Sequence, residues 1–351
     1  MKLLIIIGAG ASFDCLRPEL SYMRLQRLPL AKDLFAMKDP QEKLLRSYRL
    51  MDLADKLKEI VDSSDGDSID LEAELEIIND KAVHDGDEDT QLSLFNTRFY
   101  IQNLIHNLSE TTDRVSESNT AYVRMLRKLK EWILKDPANR SVEIISFNYD
   151  DLLERAMSHV YKKAWNDTSL NLEMYYRGEN LKIYKPHGSV NWGREMTSKK
   201  SSYIYAKAGE LAQWFGNFDL SSDFQYVAPQ SFEFESNKPK DYVPAIAIPF
   251  KKKDTFDECP EEMLNAMKNA VAASDTFITI GWKGGDAHLV ELLKKNENIK
   301  SFYTVSPSGS SELDYIPMRS YRVGFSDFVY GNITNETLDS FLKENALQYS
   351  K

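Results

Sequence analysis

Apolar residues run unbroken from Leu3 to Ile7, and the run ends in Gly8-Ala9-Gly10-Ala11-Ser12. Such a run predicts a strand buried on both faces, as in a parallel sheet covered by helices. Further strand-like runs occupy 141–147 (SVEIISF), 180–185 (NLKIYK), 244–250 (PAIAIPF), 276–282 (TFITIGW) and 301–306 (SFYTVS), with 322–328 (RVGFSDF) as one more near the end. Apolar positions at three- and four-residue spacing predict helices over 121–136, 261–273, 287–295 and 336–347. Strands alternating with helices through the C-terminal third predict parallel βαβ units.

Between Ser12 and residue 140 almost nothing reads as strand, which predicts a large helical insertion over 31–139 with an acidic middle from Asp62 to Asp89. A second interval, 194–242, is rich in Ser, Lys and aromatic residues and predicts a smaller irregular lobe or flap. The expected fold is therefore α/β: a Rossmann-like, mostly parallel sheet built from 1–30, 140–193 and 243–351, interrupted by those two insertions. A chain of 351 residues is long for one core, which fits this division.

Composition narrows the function classes. The net charge of −10 repels a polyanion over most of the surface, and the basic clusters Lys199–Lys200 and Lys251–Lys253 are short enough to be solvated loop charges. Nucleic-acid binding is not indicated. No apolar run approaches the length of a membrane span, and the N-terminal run is too short, and too soon followed by glycine, for a signal peptide. Cys15 and Cys259 are the only cysteines, too few for a disulfide framework or a four-cysteine zinc site. A cytoplasmic protein with free thiols is the simplest expectation. Asp85, Asp87 and Asp89 have the spacing of the first ligands of a calcium loop, but Thr90 replaces the turn glycine and Asn96 the bidentate acid. Helix-cap and loop acids are the better account, and no metal is expected.

Three short motifs carry candidate chemistry. Gly8 and Gly10 permit a tight turn with bare N–H groups, which reads either as a nucleotide pyrophosphate cradle or as a plain strand-to-helix turn. The dinucleotide fingerprint is incomplete, since Phe13 stands where its third glycine belongs. Asn148 and Asp150 follow the strand at 141–147, where open α/β sheets bind ligands, although either side chain would also cap the next helix. His187 sits between Pro186 and Gly188 after another strand. It reads as a general base or as a structural turn histidine. The other four histidines lie within or beside predicted helices or inside the insertion.

Taken in order, GAGAS, SFNYD, KPHGS and ITIGWKGGDAH resemble the sirtuin-like family, and specifically its prokaryotic branch of anti-phage defence. The resemblance covers the sheet-forming parts, about half of the chain. It departs from the protein deacetylases in two respects: the four zinc cysteines are missing, and Phe147 stands in place of a glutamine. What the resemblance implies is a zinc-less NAD hydrolase, with NAD as substrate. Gly8, Ala9, Gly10, Ala11 and Ser12 would hold the pyrophosphate, and Gly281, Asp286 and Ser306 would lie near the adenosine half. Asn148 would bind the ribose or the attacking water, Asp150 would contact the carboxamide, and His187 would accept a proton. The same resemblance implies NAD depletion during infection, gated by self-assembly or by a hexameric ATPase of the HerA class. An ADP-ribosyltransferase and an NAD- or ADP-ribose-binding subunit of such a complex remain open, with a nuclease behind them.

Overall fold

Leu3, Leu4, Ile6 and Ile7 are fully buried in a strand that has a neighbouring strand on each side and helices packed against its sheet. The computed structural model describes residues 1–16, 27–63, 70–162, 171–197, 219–232, 240–250, 258–309, 316, 318–332, 338 and 342. The first half of the chain gives β1 (Lys2–Ile7), α1 (Ala9–Phe13), α2 (Gln41–Ser47), α3 (Met51–Ser63), α4 (Leu71–Asp85), α5 (Glu88–Val115), α6 (Ala121–Lys135), β2 (Ser141–Ser146) and α7 (Leu152–Tyr161). There follow α8 (Glu173–Tyr176), β3 (Leu181–Tyr184), β4 (Gly188–Met196), β5 (Leu220–Tyr226) and β6 (Tyr242–Ile246). The chain continues through α9 (Glu261–Ala273), β7 (Thr276–Ile280), α10 (Ala287–Lys295), β8 (Ser301–Val305), β9 (Arg319–Tyr321) and α11 (Phe325–Asp327).

Contacts divide the chain into two units. The first comprises Met1–Leu28, Leu108–Pro186 and Cys259–Lys351, and holds a six-stranded sheet in the order β3-β2-β1-β7-β8-β9. Every neighbouring pair in it is parallel. The order runs outward from β1 through β2 and β3, then resumes on the other side of β1 with β7, so the topological switch point lies between β1 and β7. Ile7 is level with Ser146 on β2 and with Ile280 on β7, and Ile280 with Val305 on β8. The carboxyl ends of four strands therefore form one edge. The amphipathic helix α6 covers this sheet with Val123, Met125, Leu126, Leu129 and Ile133, and Thr120 caps its start by accepting the Val123 N–H. This is the expected Rossmann-like α/β architecture.

The second unit comprises Pro29–Asn107 and His187–Glu258. It contains α2 to α4, most of α5, and an antiparallel sheet in the order β5-β4-β6. Phe99, Met196 and Val243 form a buried cluster there, with Tyr48, Phe95 and Leu220 packed against it.

Several expectations are corrected. The run 244–250 was expected among the parallel strands, but its first residues belong to β6, paired antiparallel with β4. Pro244, which has no N–H to give a second neighbour, is tolerated because β6 is an edge strand. The expected strand at 322–328 is displaced to Arg319–Tyr321, because Gly324 opens a turn into α11 in which Asp14 accepts the Ser326 N–H. The interval 194–242 holds the end of β4 and the whole of β5 rather than being irregular, although 198–218 and 233–239 lie outside the described residues. The helix expected at 336–347 and both basic clusters also lie outside them, apart from Leu338 and Leu342. The units are drawn differently from the expected domains. Helix α6 groups with the sheet it covers, and 187–193 groups with 243–258 because β4 and β6 share a ladder.

Candidate functional site

The edge where β1, β2 and β7 end carries the first unit's candidate site. At β1 the chain enters α1, whose N-cap is Gly8. Gly281, directly after β7, has φ +60°, and a Cβ there would stand 2.3 Å from the Ala11 nitrogen. A Cβ at Gly8 would stand 2.6 Å from the Gly281 carbonyl oxygen. The two turns press backbone on backbone, and no side chain fits between them. The same contact occupies the turn's donors. Gly8 N–H donates to Ile280 O at 3.0 Å, Gly10 N–H to Gly281 O at 3.1 Å and Ala11 N–H to Gly8 O at 2.9 Å. The expectation of bare N–H groups is thereby corrected at these three positions. Helix α1, five residues long, is also too short to lend a substantial dipole. Ala9 is exposed and Gly10 half-buried, while Ala11 and Ser12 are buried.

Asn148 lies just beyond β2 and is 6% exposed. Its Nδ2 donates to the Gly8 carbonyl at 3.0 Å and to Ser12 Oγ at 2.8 Å, with Tyr122 OH at 3.4 Å. Ser12 Oγ and Tyr122 OH are themselves 2.8 Å apart. A carbonyl can only accept, so the side that faces Gly8 must be the NH2. That orientation leaves Asn148 Oδ1 buried with no hydrogen-bond partner among the described residues. An orphaned buried acceptor costs about 1–3 kcal/mol, so its retention calls for an explanation, and a ligand donor would supply one.

Asp150 is buried beside this cluster, and its Oδ1 accepts the Leu152 N–H at 3.2 Å. The helix-capping reading of Asp150 thus holds in part. Burial is the main influence on its carboxyl, which is pushed up from the ordinary 3.8 to about 6; Lys185 and the Ser12 hydroxyl pull it down, and Glu154 pushes it up. Lys185, at the end of β3, is completely buried. Its Nζ donates to the Asp150 backbone carbonyl at 2.6 Å and to Glu154 Oε1 at 2.8 Å, and Tyr175 OH donates to that same Oε1 at 3.1 Å. Phe147 stacks on Trp282, with centroids 5.8 Å apart and planes within 10°.

On the β7–β8 side, Asp286 Oδ1 accepts the Leu289 N–H at 3.0 Å and so caps α10. Ser306 N–H donates to Tyr321 O at 3.1 Å, and Ser306 Oγ lies 3.3 Å from Ser308 Oγ. His187 falls in the second unit, where it is buried and its carbonyl accepts the Ala247 N–H at 3.0 Å. The glycine after it is fixed by geometry: Gly188 has φ +77°, and a Cβ would lie 2.0 Å from Ala245 O.

The structure thus brings Gly8, Ser12, Asn148 and Asp150 together and leaves Gly281 as their backbone support. Sequence reasoning missed Tyr122, Lys185, Glu154 and Tyr175. Tyr122 opens an ordinary amphipathic helix and gives no sign of its role. Lys185 gave one weak sign, a lysine at the carboxyl end of a buried strand just before Pro-His-Gly. Among the described residues no group of three or more His, Cys, Asp or Glu is placed to hold a metal. Asp87 spends both carboxylate oxygens on Thr90, capping α5. No helix among the described residues is long and apolar enough to cross a membrane.

Residues 142–314 match the family model of the SIR2-like domain. The matched stretch includes Asn148, Asp150, Lys185, His187, Gly281, Asp286 and Ser306; β1 and the Gly8–Ser12 turn precede it. No curated protein matches the chain. Among solved structures, a Sir2 homologue in complex with ADP-ribose is 15% identical, covering 93% of this chain and 88% of that one, with a TM-score of 0.41. A Sir2 homologue in complex with NAD is 13% identical over 99% and 91% of the two chains, with a TM-score of 0.41. Sir2Tm bound to a propionylated peptide is 11% identical over 95% and 92%, with a TM-score of 0.43.

Proposed function

We propose that this protein is a sirtuin-like, NAD-consuming enzyme, and that its reaction is hydrolysis of NAD to nicotinamide and ADP-ribose. The match of 142–314 to the SIR2-like domain supports the NAD-dependent class. The observation that carries the reading is Asn148: its amide is clamped onto Gly8 and Ser12 while its Oδ1 is buried at the carboxyl edge of the sheet, without a hydrogen-bond partner among the described residues.

In the proposed reaction water adds to the anomeric carbon of the nicotinamide ribose as the bond to the pyridinium nitrogen breaks. The bonding pair goes to that nitrogen, so nicotinamide leaves neutral and one proton is released from the water. Asn148 Oδ1 accepts a hydrogen bond from the ribose or from the attacking water. Ionised Asp150 accepts from the carboxamide NH2. A general-base role for His187 rests on the resemblance alone. The outer face of the Gly8–Ser12 turn, at Ala9 and Gly10, receives the pyrophosphate, and Gly281, Asp286 and Ser306 border the adenosine half. The loss of the family's glutamine at Phe147 and the lack of a cysteine-built zinc lobe argue against deacetylation.

NAD depletion in defence against phage, with activity gated by self-assembly or by a HerA-class ATPase, belongs to the same proposal and rests on the resemblance alone. Incubating purified protein with NAD over a concentration series, then separating products by chromatography, tests the reading. Equal amounts of nicotinamide and ADP-ribose are expected. Nicotinamide without free ADP-ribose identifies transfer to an acceptor, and intact NAD in solution with saturable binding identifies a sensor subunit. NAD neither bound nor cleaved overturns the reading.

A further inference from the structure

A lysine with no exposed surface is unusual, since an ammonium leaves water only at high cost. Lys185 meets that cost with two acceptors, Glu154 Oε1 and the Asp150 backbone carbonyl. Buried ion pairs rarely outdo apolar residues of the same volume in stability. Stability alone therefore does not account for a charge at this position. Its placement does. Tyr184 pairs with Ile145 on β2, which sets Lys185 at the level where β2 gives way to the Asn148–Asp150 loop. Its 2.6 Å bond, shorter than the one to Glu154, falls on the main chain of Asp150 itself.

We infer that Lys185 is a positioning residue: it pins the Asp150 backbone from the neighbouring strand and supplies the positive charge that lets the buried Asp150 carboxylate exist. The inference rests on the role proposed for Asp150 in NAD cleavage. Among the described residues, the other titratable groups acting on Asp150 include Glu154 from α7, Cys15 beyond α1 and Tyr122 from α6. Burial raises the Cys15 thiol and the Tyr122 hydroxyl, which keeps both neutral, and Glu154 opposes ionisation of Asp150. Among the described residues, Lys185 is thus the cation that offsets burial at this carboxyl. Tyr175 in turn holds Glu154, so the support is a short chain, Tyr175 to Glu154 to Lys185 to Asp150.

Lys185→Met alone strands the Glu154 charge, so Lys185→Met combined with Glu154→Gln is the second variant. Two readouts are taken from wild type and both variants. The first is the pH profile of NAD cleavage: its acidic limb should move to higher pH by about 1–3 pH units, with roughly a 10-fold loss of kcat at pH 7 and a smaller change in KM. The second needs no catalysis. Denaturant unfolding from pH 4 to pH 9, with and without Asp150→Asn, reads the pH at which Asp150 ionises in the folded protein. That pH should rise when Lys185 is removed. A rise seen while wild type cleaves no NAD would uphold Lys185 as the charge partner and remove the proposed reaction instead. An unmoved ionisation of Asp150, or an unmoved acidic limb in an active and folded variant, would overturn the inference.

Discussion

The two halves of the sheet's carboxyl edge use their polar groups in different ways. On the β1–β2–β3 side, Ser12, Tyr122, Asn148, Asp150, Glu154 and Lys185 bond to one another across four elements or more, and Asn148 Oδ1 has no hydrogen-bond partner among the described residues. On the β7–β8 side, Asp286 caps its own helix, Ser306 bonds a serine two residues on, and Gly281 supplies only backbone. One half carries a polar network that specifies a geometry, and the other gives shape to the turn against which that network is built. Similar-looking motifs at strand ends are therefore not equivalent. Long-range polar bonding separates a candidate reacting group from a local cap.

This contrast is broken most severely on its chemical side. Asn148→Ala should lower NAD cleavage by about 10²–10⁴, equivalent to roughly 3–5 kcal/mol of transition-state stabilisation. The same change should cost the fold only about 1–2 kcal/mol, since it removes an orphaned acceptor along with a bonded amide. Kinetics and denaturant unfolding on the same preparation separate the two. Gly281→Ala should strike stability first: its φ of +60° and a Cβ placed 2.3 Å from the Ala11 nitrogen together should cost roughly 3 kcal/mol, read by urea unfolding.

Asp150 sharpens the contrast through pH. Its carboxyl is raised to about 6 in the folded protein, so the folded state binds a proton more tightly than the unfolded chain does. Its contribution to stability is therefore greatest below about pH 4, falls as pH rises toward 6, and stays at the lower level above that. The fall should be on the order of 2–3 kcal/mol, and Asp150→Asn should abolish it in unfolding measured from pH 4 to pH 8. On the other side of the edge, Asp286→Ala removes a cap and should cost about 1 kcal/mol, visible as a lower urea midpoint.

Much of the first unit was legible because its strands are continuous apolar runs and its polar motifs fall directly after them. β1, β2, β3, β7 and β8 all begin and end within two residues of the expected runs. The second sheet was not legible. β4 carries Gly188, Asn191, Trp192 and Gly193 in place of a clean alternation, and its register shifts against both partners. In the site, Asn148 and Asp150 stood out because a polar residue at the end of a buried strand is conspicuous. Tyr122 and Lys185 did not, because their roles depend on contacts to residues 110 and 35 positions away. The glycines of the first turn stood out as a tight turn, but not their close fit to the Gly281 backbone, and the N–H groups of Gly8 and Gly10, expected to be bare, are bonded within the protein.

The central claim is that the β1–β2 side of the edge reacts with NAD through Asn148. It is tested most directly by the rate of nicotinamide release from NAD, measured side by side for wild type and a folded Asn148→Ala variant at neutral pH. The account predicts release by wild type with ADP-ribose in equal amount, and a rate at least about 10² lower in the variant. Equal rates for the two folded proteins would contradict it.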